Sequence, residues 1–210
     1  MEITAKDLVQ YFYSVVDVIE KEKDYLSELD RHLGDGDHGV TMSIGFQSVK
    51  EKLDVDLANE TDCGKISTTV GMTFLNAVGS SVGPLYATGF MRGGMVVKGK
   101  EVLNDENLTE YWIAFVKGVK ERGQANVGEK TMIDTLEPFG KALQESFTST
   151  NNFKKAFHKA LQAAKEGMES TKELLSKKGR SSRLGERSKG AQDPGATSAY
   201  FIIKAFEKIL

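Results

Sequence analysis

The chain has 210 residues, of which 40 % are hydrophobic and 28 % charged, with a formal net charge of −2. That length and composition suit one globular domain, or at most two small ones, with a substantial buried core, and the charge gives no global pull toward nucleic acid. The one cysteine, Cys63, has no internal partner for a disulfide, and no apolar run approaches the ~18 residues of a membrane helix.

The first stretch, "MEITAKDLVQYFYSVVDVIEKEKDY", mixes charges into its apolar positions. It reads as neither a signal peptide nor an anchor, so a cytoplasmic protein without a membrane partner is expected. Thr4 and Asp7 form a capping-box pattern, and Leu8, Phe12, Val15, Val16 and Ile19 recur at helical spacing. The pattern resumes at Leu26, Leu29 and Leu33 and stops at Gly34.

The turn that follows is "GDGDHG", Gly34 to Gly39. Its glycines satisfy G-x-G-x-x-G, but a dinucleotide fingerprint needs a strand before them, and here a helix comes first. An EF-hand fails too, because a loop starting at Asp35 places Phe46 where the bidentate Glu belongs. What remains is Asp30, Asp35 and Asp37 around a tight turn. Three converging carboxylates repel one another unless a cation sits among them, and Mg²⁺ held there leaves positions for phosphate oxygens. A plain polar turn is the bland alternative. His38 on its own fits a phosphate contact, a base or a surface residue.

A second helix follows, with Ile44, Val49 and Leu53 as its apolar positions and Phe46 near the same face. Residues 64–97 are apolar but rich in Gly, Ser, Thr and Ala, which predicts two closely packed helices broken near Gly79–Pro84. The break, "GSSVGPL", offers backbone N–H groups and hydroxyls to an anion, or is a simple interhelix turn with Pro84 starting the next helix. "NLTEYWIAFVKGVKERG" predicts an amphipathic helix with Gly123 as its C′ glycine.

"GQANVGEKT" misses the P-loop pattern by one residue and also follows a helix, so it predicts only a loop that opens the next helix at Thr131 and Met132. That helix contains Pro138, a potential kink. Asn151 or Asn152 caps a long helix carrying Phe153, Phe157, Leu161, Ala164, Met168 and Leu175. Residues 176–194 lack an apolar period and predict a long loop, with Lys177, Lys178, Arg180, Arg183, Arg187 and Lys189 against Glu186 and Asp193. Without interleaved aromatics this stretch argues against nucleic acid; a cationic lid over a polyphosphate and a solvated charged loop both fit it. "DPGATS" then opens the last helix, with Asp193 as its cap.

The expected fold is all-α: an antiparallel up-and-down bundle or barrel of about eight helices, with residues 1–210 as one domain. In such a bundle alternate loops fall at the same end. The acidic turn, the two hydroxyl-bearing turns and the cationic loop would then meet there.

"LDRHLGDGDHG", "GPLYATGF", "GEKTMID" and "KGRSSRLGERSKGAQDPGATS", in that order and over essentially the whole chain, resemble the nucleotide-binding L subunit of dihydroxyacetone kinase. The resemblance implies a helical barrel with ADP (or ATP) and Mg²⁺ at one end under a lid. It implies Asp30, Asp35 and Asp37 as magnesium ligands, and His38, Gly39, Val40 and Thr41 as a phosphate-contacting segment. Ser81 and Val82 match a nucleotide-contacting turn. The family often has a serine at the place of Val82, so Ser80 or Ser81 substitutes for it, or one contact is to backbone alone. Gly123, Thr131 and Met132 match positions near the adenine, Arg180 a lid arginine that reaches the phosphates, and Asp193, Pro194 and Gly195 the last nucleotide-contacting turn. Arg180 and His38 are the expected catalytic groups.

The implied partners are a K subunit that holds the triose and an M subunit of the phosphotransferase system that recharges bound ADP; a homodimer is a further expectation. A free-standing chain of this length looks more like this branch than like the ATP-using branch, some of whose members act on erythrulose. A non-catalytic nucleotide-binding module is the competing class.

Overall fold

A computed structural model describes residues 1–210. A three-residue strand β1 (Glu2–Thr4) leads into α1 (Ala5–Leu33), followed by α2 (His38–Val55), α3 (Cys63–Ala77) and α4 (Val82–Val96). Strand β2 (Val102–Asn104) precedes α5 (Asp105–Gly123), α6 (Ile133–Thr150) and α7 (Phe153–Ser170). A 3₁₀ segment at Arg180–Ser188, α8 (Pro194–Ala205) and a closing 3₁₀ turn at Phe206–Ile209 complete the chain. Each helix packs on the next, and α8 returns to α1, so the expected eight-helix barrel is closed. No helix is long and apolar enough to cross a membrane.

Aromatic side chains fill the barrel. Trp112 on α5 is fully buried and stacks edge-on or tilted against Tyr11, Tyr111, Phe115, Phe139, Phe157 and Phe206, which come from four helices and the final turn. Edge-to-face contacts of this kind add to the apolar burial that holds the helices together. The small residues of α3 and α4 do what their size predicts. A Cβ on Gly94 would lie 2.7 Å from the Gly64 carbonyl oxygen, and Ser67 Oγ donates to the Phe90 carbonyl at 2.8 Å.

The helix termini divide by end. At one end the N-termini of α1, α3, α5 and α7 are capped by the side chains of Thr4, Asp62, Asn104 and Asn152, with capping boxes at Thr4 and Asn104. The short antiparallel sheet, pairing Ile3 with Leu103, ties the start of α1 to the start of α5. Asp105 gathers this end further, accepting from the Met1 ammonium at 2.6 Å and from the Phe153 N–H at 2.9 Å. The links from α1 to α2, α3 to α4, α5 to α6 and α7 to α8 lie at the other end.

Several local expectations need correction. The sheet has no counterpart in the sequence pattern, because three-residue strands are too short to show alternation. Ile44 is 52 % exposed, and Met42, Phe46, Val49 and Leu53 form the buried face of α2 instead. Gly123 is the last helical residue of α5, and Gln124 takes the left-handed cap at φ 47°. Asn152 caps α7, whereas Asn151 ends α6. Leu175 lies beyond α7, and part of the expected loop after it is the 3₁₀ segment.

Candidate functional site

Four loops converge on one cleft of about 510 Å³ at the second end of the barrel. The acidic turn forms one wall. Asp30, on the last turn of α1, accepts the backbone N–H groups of Asp37 (2.9 Å) and His38 (3.2 Å), which folds the chain back upon itself. Ligand oxygens of Asp30, Asp35 and Asp37 thereby all lie within 4.8 Å of one another. Hard oxygens at that spacing fit a small divalent cation such as Mg²⁺. α2 can start this close to α1 only because residue 39 is glycine: a Cβ there would overlap the Lys23 carbonyl.

His38 is buried, and its Nε2 lies 2.9 Å from Ser198 Oγ, which in turn lies 2.7 Å from the Tyr86 hydroxyl. Burial lowers its pKa to about 4, although the nearby Asp30 charge pulls the other way, so the ring is neutral near pH 7. Thr41 lines the cleft with His38. Gly39 and Val40 do not: Gly39 packs against α1, and Val40 is 44 % exposed on the outer face of α2.

From the α3–α4 turn come Ser80, Ser81 and Val82. Ser80 Oγ is buried without a hydrogen-bond partner, an unmet donor beside the cleft. Gly123, Thr131 and Met132 also line it, and around them Leu85, Val119, Ala125 and Ile133 supply an apolar side. The cleft is thus charged along the acidic turn and the lid and apolar along α4 to α6. That suits a ligand with a polyanionic part and a flat apolar part.

The cap residues of α2, α4 and α6, namely Asp37, Ser81 and Met132, make no side-chain cap hydrogen bond, in contrast to the four capped termini at the far end. At α6 the first turn is nevertheless satisfied locally: the Ile133 N–H donates to Thr131 Oγ1 at 3.1 Å, and those of Asp134 and Thr135 donate to the Thr131 and Met132 carbonyls at 3.0 and 3.2 Å. At α4 the N–H groups of Ser81 and Val82, which line the cleft, have no partner within the chain, and with the positive dipole ends of these helices they favour an anion there. The fourth terminus, α8, is capped: Asp193 Oδ2 accepts from the Ala196 N–H at 2.7 Å. Burial raises the Asp193 pKa to about 7, against the lowering effect of that N–H and of Lys130. Pro194 and Gly195 complete this wall.

Lys178, Gly179, Arg180 and Ser181 of the lid roof the cleft, and the Arg180 guanidinium is ion-paired with Asp35. Of the site residues expected from the sequence, all but Gly39 and Val40 are brought to this cleft. Three others escape sequence reasoning: Lys130, which lines the cleft, and Tyr86 and Ser198, which stand behind His38. Lys130 has a visible signal in "GEKT", since a lysine between two helices in a ligand loop is rarely idle. The Tyr86–Ser198–His38 chain spans 160 positions and has no local signature.

A family model described as the DAK2 domain matches residues 32–208. The chain belongs to the DAK2 domain family. Among curated relatives, this DAK2 domain chain is 40 % identical to the PEP-dependent dihydroxyacetone kinase 2, ADP-binding subunit DhaL, of Listeria innocua, over 89 % of this chain and 86 % of that protein. It is 37 % identical to the PEP-dependent dihydroxyacetone kinase, ADP-binding subunit DhaL, of Escherichia coli K12, over 97 % and 96 %. Its fold matches that of the dihydroxyacetone kinase from C. freundii in complex with AMP-PNP and Mg²⁺, with a TM-score of 0.72 at 23 % identity. The match covers 96 % of the DAK2 domain chain and 33 % of that longer kinase.

Proposed function

We propose that residues 1–210 form one nucleotide-binding domain, the ADP- and Mg²⁺-binding subunit of a dihydroxyacetone kinase. On this reading it carries a phosphoryl group on bound nucleotide from an M subunit of the phosphotransferase system to dihydroxyacetone held by a separate K subunit, in the cytoplasm. The observation that carries the reading is the facing of an acidic turn and a lid arginine across a cleft whose remaining walls are helix N-termini and apolar side chains. Near full-length similarity to proteins named as ADP-binding subunits supports the choice of branch.

Asp30, Asp35 and Asp37 hold the metal. Bound magnesium supplies positive charge that neutralises the phosphate oxygens during transfer. The backbone N–H groups of Ser81 and Val82 at the start of α4, with the free Ser80 hydroxyl, orient the phosphates. Arg180 adds a cation from the lid, which also excludes water. His38 presents a neutral ring edge beside the phosphates. Leu85, Val119 and Met132 pack the base.

The test begins with protein purified without added nucleotide, dialysed extensively and denatured, the released small molecules being separated by chromatography. Stoichiometric ADP supports a tightly held carrier recharged in place. Empty protein that binds ATP and ADP reversibly assigns the chain to the ATP-using kinases instead. Failure to bind either in Mg²⁺ sinks the reading. ADP-loaded protein that transfers no phosphoryl group with K and M subunits present is a binding module.

A further inference from the structure

Lys130 is buried to 1 % exposure, yet its ammonium meets no carboxylate. Its Nζ donates to four main-chain carbonyls: Thr171 (2.6 Å), Ser188 (2.6 Å), Ala191 (2.6 Å) and Leu174 (3.4 Å). Thr171 and Leu174 lie on the chain entering the lid, and Ser188 and Ala191 on the chain leaving it. One ammonium therefore holds both roots. Other bonds stitch the same seam: Gly190 N–H to the Lys172 carbonyl at 2.7 Å, Ser176 N–H to Ser188 Oγ at 3.0 Å, and Lys177 N–H to the Glu129 carbonyl at 3.1 Å. Lys130 itself takes a left-handed backbone, at φ 60°. Asp134 holds the loop around it, accepting from the Gly128 N–H at 2.6 Å and the Thr131 N–H at 2.7 Å.

We propose that Lys130 is a positioning residue: its ammonium is a built-in cation that pins the two roots of the lid, and so fixes Arg180 and the Asp193–Gly195 turn against Thr131 and Met132. Carbonyl oxygens gathered in this way are the ligand set that selects potassium-sized monovalent cations. A lysine supplies the same charge permanently, tethered to the wall it must hold. Without it the carbonyls face one another with their partial charges unopposed, and the roots separate. The consequence for ADP rests on the nucleotide reading above; the consequence for the lid does not.

Two variants separate charge from packing. Lys130→Met fills the stem with no donor, and Lys130→Ala leaves the cage open. The lid carries six tryptic positions, from Lys177 to Lys189, so limited trypsinolysis reports on it directly. Both variants should be cleaved in the lid about tenfold or more faster than wild type, while the barrel still unfolds cooperatively. Potassium or ammonium chloride should restore slow cleavage to Lys130→Ala but not to Lys130→Met, and lithium or tetramethylammonium should restore neither. Wild-type cleavage rates in both variants overturn the proposal, as does acceleration that no cation reverses in Lys130→Ala. If neither variant folds, hydrogen exchange of the wild type decides. The Ser176, Lys177 and Gly190 amides should be protected on a par with the barrel helices, and exchange at open-loop rates overturns the proposal. ADP release is measured in parallel: wild type that binds no ADP refutes the nucleotide reading and leaves the lid result standing.

Discussion

Arg180, in the lid, is ion-paired with Asp35, in the acidic turn, across 145 positions of sequence. The two side chains are 64 % and 53 % exposed, so the pair adds little to folding stability. Its meaning is geometric. The tip of the lid reaches the carboxylates, and a guanidinium and a divalent cation compete for the same carboxylate.

Replacing Arg180 by Ala should therefore split two measurements. Calorimetric titration should show Mg²⁺ binding at equal or lower concentration than in wild type, because a competitor for Asp35 is gone. Phosphoryl transfer in the reconstituted kinase should fall about 10²–10³-fold, the usual consequence of losing one cation aimed at developing charge. ADP affinity should change by less than the transfer rate. Unchanged transfer with a large loss of affinity would show that Arg180 only binds.

The three aspartates should not be equivalent. Asp30 holds two backbone N–H groups as well as facing the metal position, whereas Asp35 and Asp37 are exposed at the turn. Asp35→Ala and Asp37→Ala should abolish Mg²⁺ binding at a stability cost within about 0.5 kcal/mol. Asp30→Ala should abolish it and also destabilise the protein by about 1–3 kcal/mol, since two N–H groups lose their acceptor. Denaturant unfolding compared across the three variants checks the difference, and equal stability costs would contradict it.

Why the chemistry is so legible in the sequence follows from where it sits. In a barrel of consecutive antiparallel helices, alternate loops share an end, so four loops that each carry polar chemistry must meet. Counting helices is enough to place Asp30, Asp35, Arg180 and Asp193 in one cleft. Periodicity locates α1 and its Thr4 cap for the same local reason. Relations set by packing alone are not legible. The inner face of α2 excludes Ile44, because Gly39 and Gly45 let the helix approach its neighbours in a way that apolar residues do not advertise. The Tyr86–Ser198–His38 chain and the Lys130 cage join residues far apart in sequence, and the cage partners are carbonyls, which every residue has.

His38 and Asp193 predict opposite pH responses over nearly the same range. The folded-state pKa of His38 is about 4 against an ordinary 6.5, so the unfolded chain takes up a proton first and stability is lost as pH falls through that window. The folded-state pKa of Asp193 is about 7 against an ordinary 3.8, so the folded protein holds the extra proton and stability is lost as pH rises. The two should largely cancel, leaving wild type with a flat profile between about pH 4 and 7 from these groups. Asp193→Asn keeps a cap acceptor for Ala196 and removes one side of the balance; its stability relative to wild type should rise as pH rises. His38→Gln should do the reverse. Denaturation at closely spaced pH values checks both, and parallel profiles for the three proteins would refute the assignment.

Gly39 links the fold to the site most directly. Alanine there has no room, because its Cβ would overlap the Lys23 carbonyl and lie 2.6 Å from Ser27 Oγ. Backbone cannot yield as a flexible side chain does, so α2 must move away from α1 at its first turn. Overpacking of this kind costs about 1–3 kcal/mol. The displacement also pulls the Asp37 and His38 N–H groups off Asp30, so Mg²⁺ binding should weaken by more than the loss of stability alone explains. Gly79 is the matched control: it adjoins the same cleft, has an ordinary backbone, and a methyl group placed there would meet nothing within 4 Å. Gly79→Ala should leave thermal unfolding and Mg²⁺ affinity at wild-type values, and Gly39→Ala should lower both. If Gly39→Ala kept full Mg²⁺ affinity at reduced stability, the acidic turn would be independent of the α1–α2 contact, and Asp30 would not be the residue that joins them.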